Sequence, residues 1–120
     1  MEMSYKDLHV NQVDHFLEQA NAIVIDVRDS HSFNSEHIKG ALHIDGPTMG
    51  NLIQHRKKNP PVLVYCYHGN SSRDMAEMIS HFGFTNVSNL VGGWEAWKNH
   101  QMLNKKNSPV YNPQFSAAFT

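Results

Sequence analysis

One cysteine, Cys66, stands among 120 residues. No disulfide can therefore close within the chain, and any thiol chemistry must run through a single sulfur. Long apolar runs are also missing. None approaches the ~20 residues that a membrane-spanning helix needs. Met1 to Gln19 is broken repeatedly by charge, so no basic leader with an apolar stretch is legible, and a cytoplasmic location is expected. Neither sign of charge dominates. Lys and Arg number 10 against 11 Asp and Glu, for a net charge of -1, which offers no basic field for nucleic acid. The nine histidines are His9, His15, His31, His37, His43, His55, His68, His81 and His100. No two lie three or four positions apart, so no helix presents a pair on one face. With one cysteine a thiolate cage is excluded as well, and no metal is expected.

What is present fits one globular domain. The hydrophobic share is 40% and the charged share 18%, ordinary for a soluble protein large enough to bury a core without staples. Short apolar runs alternate with amphipathic stretches, which predicts an α/β domain with a largely parallel sheet and helices on both faces. Asn11 is placed to cap a helix with the stripe Val13, Phe16, Leu17 and Ala20. Ala22 to Val27 then reads as a buried strand, Asp29 to Phe33 as a short polar helix or turn, and Ala41 to Ile44 as a brief strand. Gly46-Pro47 opens a helix with Met49, Leu52 and Ile53 facing inward. Arg56, Lys57 and Lys58 near its end complement the carbonyl end of the helix dipole and need no nucleic-acid partner. After the run Pro61 to Tyr65, a helix is predicted from Arg73 to Phe82, with Gly83 as its C′ residue. Thr85 to Leu90 reads as a strand, and Gly92-Gly93 precedes a helix carrying Trp94, Ala96 and Trp97. The domain is expected over residues 5–100, with 101–120 an irregular tail whose aromatics are free to dock on the domain or on a partner.

Cys66 closes an apolar strand and opens Cys66-Tyr67-His68-Gly69-Asn70-Ser71-Ser72, a polar turn running into a helix. A lone intracellular cysteine is more often a small buried hydrophobe than a reactive group. This one lies where backbone N–H groups and a helix N-terminus can hold an anion, which lowers a thiol pKa and favours a nucleophile. Gly69 suits a positive φ in a ring-like loop. Ser71 and Ser72 can cap the helix or hydrogen-bond the sulfur. His68 is open to two readings, a nearby base or cation and a side chain facing water. In a parallel sheet ligands bind beyond the carboxyl ends of the strands, and Asp26-Val27-Arg28 ends another strand there. Asp26 and Arg28 are expected to shape the site as an ion pair. Tyr67 is expected either at the mouth of the pocket or covering apolar surface.

Four motifs in order give the chain a family resemblance. Ile25-Asp26-Val27-Arg28, His37-Ile38-Lys39-Gly40-Ala41, the six-residue loop from Cys66 to Ser71, and Gly92-Gly93-Trp94-Glu95-Ala96-Trp97 resemble the signatures of single-domain rhodaneses, the thiosulfate sulfurtransferase family. The loop string through Ser72 is particularly similar to the GlpE-type members. The resemblance implies a sulfurtransferase that works through a persulfide on Cys66, taking sulfane sulfur from thiosulfate and passing it to cyanide or a thiol, thioredoxin among the candidates. It implies no metal or organic cofactor. Neither nucleic acid nor membrane is an expected partner, and a monomer or weak homodimer is expected. With no Lys or Arg in the loop itself, a dianionic donor must rely on backbone dipoles, His68 and Arg73, so weak thiosulfate affinity is expected. Two rivals remain. A cysteine phosphatase or arsenate reductase needs Cys-x5-Arg, and counting from Cys66 puts Ser72 at that place with Arg73 one residue late. A sulfur-carrier module serving a protein partner shares every motif with a freestanding enzyme.

Overall fold

The computed structural model describes residues 4–104 and the short strand at 110–111. Five strands form one parallel sheet: β1 (Lys6–Leu8), β2 (Ile23–Asp26), β4 (Leu42–His43), β5 (Val62–Tyr65) and β6 (Val87–Leu90), in the order β1-β6-β5-β2-β4. A second pairing joins β3 (His37–Ile38) antiparallel to β7 (Val110–Tyr111). The helices are α1 (Val13–Leu17), α2 (Ser30–Ser35), α3 (Gly46–Gln54), α4 (Ser71–His81) and α5 (Gly93–Asn104).

Alternation along the strands sends side chains to two cores. Val24, Leu63, Tyr65 and Leu90 meet Val13 and Phe16 of α1 and Trp94 and Trp97 of α5. Ile25, Val62, Val64 and Val87 meet Leu52 of α3 and Ala76 and Ile79 of α4. Helices thus cover both faces, as parallel sheets require. Among the described residues no helix is long and apolar enough to cross a membrane.

Several local expectations are corrected. Asn11 caps nothing: it lies inside a 3-10 turn, Val10–Gln12, where the Gln12 side chain instead accepts from the His9 N–H at 2.9 Å. Helix α1 stops at Leu17, which leaves Ala20 exposed and outside the apolar stripe. The cations Arg56 to Lys58 form their own 3-10 turn beyond α3, and Arg56 Nη1 donates to the Ile53 carbonyl at 3.1 Å, the use expected of charge at a helix end. Helix α4 starts two residues before Arg73, and α5 continues through 101–104, where an irregular tail was expected. Val110–Tyr111 is a strand rather than irregular chain. The remaining tail positions, with the docking role considered for Phe115 and Phe119, lie outside the described residues.

Candidate active site

Register places the site's parts at one end of the sheet. Asp26 on β2 lies beside Tyr65 on β5, and Cys66 is the next residue. The loop that follows is turned so that the Gly69 and Ser72 N–H groups point at the sulfur while the carbonyls of Cys66, Tyr67 and Gly69 bond elsewhere. Cys66 Sγ accepts from the Gly69 N–H at 3.1 Å and from the Ser72 N–H at 3.3 Å, and Ser72 Oγ lies 3.1 Å away. The carbonyls of Cys66 and Tyr67 instead accept from the Trp94 and Glu95 N–H groups in the first turn of α5, at 2.7 and 3.1 Å. Gly69 O accepts from Arg73 Nε and Asn89 Nδ2, each at 3.2 Å. Two helix N-termini therefore hold this loop, α5 through its carbonyls and α4 through the sulfur.

The capping role expected of Ser71 or Ser72 falls to another group. Asn70 occupies the N-cap of α4 without a side-chain capping bond, and the sulfur takes the place of the cap by accepting the Ser72 N–H. Burial pushes the Cys66 thiol up. Hydrogen bonding from the Ser71 and Ser72 side chains and from the Ser72 and Gly69 N–H groups outweighs it and brings the thiol down to about 7; of the two hydroxyls, Ser72 is the one in direct contact with Sγ. The residue is 4% exposed, yet near neutral pH a large fraction of it is thiolate.

Gly69 and Gly93 show why glycine is required here. Gly69 has φ +90, and a Cβ on it would lie 2.8 Å from Gly92 N. Gly93 has φ +59, and its Cβ would overlap the Cys66 carbonyl oxygen and come within 2.7 Å of the Tyr67 carbonyl. A Gly93→Ala substitution is therefore expected to cost about 2–4 kcal/mol, from overpacking against backbone added to left-handed strain. It should also raise the thiol pKa, because the loop must move. Urea melts and the pH dependence of thiol alkylation check the two effects, and a variant matching wild type in both would show that the loop yields freely.

The other expected site residues are placed as follows. Asp26 and Arg28 form a buried pair, with Arg28 Nη2 2.7 Å from Asp26 Oδ2 and Nε 3.1 Å from both carboxylate oxygens. Tyr65 donates its hydroxyl to the same carboxylate at 2.6 Å, and Arg28 Nη2 donates to the Glu36 carbonyl. Burial opposes the guanidinium charge, but the Asp26 hydrogen bonds and charge hold the Arg28 pKa above its ordinary value. Burial, then Asp26, push the Tyr65 phenol up. Arg28 is enclosed by aromatic rings, its Cζ 4.6 Å from the Trp94 centroid, 5.2 Å from Tyr67 and 5.6 Å from Tyr65. Tyr67 is partly exposed over that guanidinium, and its hydroxyl lies 2.7 Å from Ser32 Oγ. His68 is exposed and faces Glu95, Nδ1 to Oε1 3.8 Å, rather than the sulfur. Arg73 holds the loop through Gly69 O.

Two residues escaped the sequence reading. Asn89, fully buried on β6, contacts both Ser72 and Gly69. Tyr65 looked like strand filler, but it joins Asp26 to β3 by accepting the Ile38 N–H at 3.2 Å. The signal for Asn89 was its place in a strand otherwise built to be buried, since a polar side chain there requires a partner.

This geometry has relatives. The family model described as Rhodanese-like domain matches residues 9–100. The thiosulfate sulfurtransferase GlpE of Coxiella burnetii is 36% identical over 105 residues, 88% of this chain and 98% of that protein. The protein of the same name from Shewanella oneidensis is 37% identical over 94 residues, 78% of this chain and 93% of its own length. Among solved structures, a rhodanese-like domain protein from Staphylococcus aureus superposes with a TM-score of 0.64 at 24% identity, over 77% of this chain and 90% of that one, a likeness of fold.

Proposed function

This chain belongs to the rhodanese family and is a sulfurtransferase, and from that premise we propose that it carries the sulfane sulfur of thiosulfate as a persulfide on Cys66. The observation that carries the reading is the grip on the sulfur: N–H groups of Gly69 and Ser72 and the Ser72 hydroxyl all converge on Sγ at the head of α4. Cys66 thiolate attacks the outer sulfur of thiosulfate, forming the Sγ–S bond as the S–S bond of the donor breaks. Sulfite leaves with the bonding pair, and the negative charge rests on the terminal sulfur. A thiophilic acceptor then attacks that terminal sulfur and releases the Cys66 thiolate. One cysteine is enough for both halves.

Preorganised N–H dipoles stabilise the anion without moving, the same device as an oxyanion hole. Asp26 and Arg28 act at one remove, by fixing the strand ends from which the loop springs. The loop weakens the phosphatase alternative, because Ser72 rather than an arginine stands at the sixth position after Cys66 and the Nε of Arg73 is bonded to the Gly69 carbonyl. The acceptor is proposed as cyanide in vitro and a small or protein thiol, thioredoxin included, in the cytoplasm.

Intact mass before and after thiosulfate, with cyanide added to a third sample, tests the proposal. Addition of one sulfur mass is expected, reversed by cyanide as thiocyanate appears. Loading should quicken as pH rises through about 7, where the thiol ionises, and level off above. Free, alkylatable thiol that gains no sulfur would remove thiosulfate as the donor.

A further inference from the structure

The Ser72 hydroxyl has one proton and two acceptors in reach. Its Oγ stands 3.1 Å from Cys66 Sγ and within hydrogen-bond distance of Asn89 Oδ1. Ser72 and Asn89 both have no solvent exposure. The amide of Asn89 can be oriented in only one way. Its other end meets the Gly69 carbonyl at 3.2 Å, an atom that only accepts, so Nδ2 is there and Oδ1 faces Ser72.

Two proton arrangements follow. With Cys66 as a thiol, Sγ–H donates to Ser72 Oγ, Ser72 donates to Asn89 Oδ1, and every group is satisfied. With Cys66 as a thiolate, the sulfur only accepts. Ser72 must then turn its proton to the sulfur, which leaves Asn89 Oδ1 a buried acceptor without a donor. We propose that Asn89 is a positioning residue that competes with the Cys66 sulfur for the Ser72 proton and so restrains ionisation of the thiol. This rests on the reading of Cys66 as the nucleophile. In the transfer cycle, once Sγ is bonded to the sulfane sulfur, the charge sits on the terminal atom and Sγ needs no donor. Ser72 then returns its proton to Asn89. Asn89 thus favours the loaded cysteine over the bare thiolate and pulls the donor step forward.

The charged and titratable groups around the thiol are common to all the variants below. They are His68 of the loop beside Glu95 of α5, Arg73 of α4, the Asp26–Arg28 pair beyond β2, and Tyr65 and Tyr67 flanking the cysteine. Because Gly69 O also accepts from Arg73, it keeps a partner when Asn89 is replaced.

The test is the pH dependence of Cys66 alkylation by iodoacetamide in the full chain, for Asn89→Leu and Asn89→Asp, each with and without Ser72→Ala. Asn89→Leu removes the competitor and is expected to lower the thiol pKa by about half a unit to one unit, or about three- to tenfold more thiolate below the midpoint. In the Ser72→Ala background that shift should vanish. A rise or no change with Asn89→Leu, or a fall that persists without Ser72, overturns the proposal and leaves Asn89 as a spacer for the loop. Should Asn89→Leu not fold, Asn89→Asp still decides. Its carboxylate holds the Ser72 proton harder and raises the pKa, by less when Ser72 is alanine; an undiminished rise means charge acting alone and also overturns the proposal. Alkylation reads the thiol itself. A wild-type thiol that ionises normally but takes no sulfur from thiosulfate would therefore sink the proposed function without touching this inference.

Discussion

Cys66→Ser is expected to abolish sulfur loading altogether while the protein remains folded. Serine fits the space, and its oxygen can accept from the same Gly69 and Ser72 N–H groups that hold the sulfur. A hydroxyl cannot store sulfane sulfur, so no adduct should form at any thiosulfate concentration. Stability behaves differently with pH. The folded thiol is depressed to about 7, below the ~8.5 of an unperturbed cysteine. Its ionisation therefore contributes stability that is fully present above the unfolded pKa and is lost as pH falls through about 7. Near pH 6 the variant and wild type should unfold within about 1 kcal/mol of each other. Above pH 9 wild type should lead by an amount on the order of 2 kcal/mol, since the serine has nothing to ionise. Urea melts at the two pH values measure this, and a gap that does not widen would mean that the loop does not stabilise the thiolate. Thiocyanate production by the folded variant would move the sulfur carrier away from Cys66.

The second large effect is on the fold. Asp26→Ala is expected to destabilise the domain by about 3–5 kcal/mol, because it strands a charge where water does not reach. Arg28 is 6% exposed, and after the substitution only the Glu36 carbonyl and the three aromatic rings would face its guanidinium. Tyr65 would lose its carboxylate acceptor as well. Such a loss is a large share of the ~5–15 kcal/mol that holds a domain together. Replacing Arg28 with methionine in the same chain should recover much of it, since removing both charges costs less than removing one. Urea midpoints of the single and double variants give the answer. A loss under about 1 kcal/mol for Asp26→Ala would mean that Arg28 swings out to solvent.

Periodicity and motif order made most of the fold legible. The runs at Ile23–Asp26 and Val62–Tyr65 are buried strands, and Ala76 and Ile79 face the core from α4. Gly69, Gly92 and Gly93 have positive φ around the loop. The side-chain partners that give the loop its chemistry were less legible, because they come from distant segments. Nothing in the string from Cys66 to Ser72 says that its carbonyls will meet the N-terminus of α5 or that Asn89 will stand behind Ser72. Local rules leave the serines open between a cap and a bond to the sulfur: Ser72 makes the second, and the first turn of α4 is capped by a sulfur five residues before Ser71. Likewise Tyr67 reads either as a lip of the pocket or as surface cover, and nothing local says that its ring lies over a guanidinium that is itself fixed by β2.

The order of strands has a consequence for the growing chain. The cysteine and the donors that acidify it, at Gly69, Ser71 and Ser72, are made before the groups that enclose the loop. Strand β6, with Asn89, lies in the sheet between β1 and β5, and the first turn of α5, which closes the back of the loop, follows it in the chain. A nascent chain that has emerged as far as the end of α4 has the thiol but neither the inserted strand nor the donors of Trp94 and Glu95. The Gly69 and Ser72 donors are present in it, but nothing yet holds the Cys66 and Tyr67 carbonyls, whose bonds keep those donors turned to the sulfur. The backing of the anion site is thus the last part of it to be synthesised, in the strand that lies between β1 and β5 and in the helix that follows.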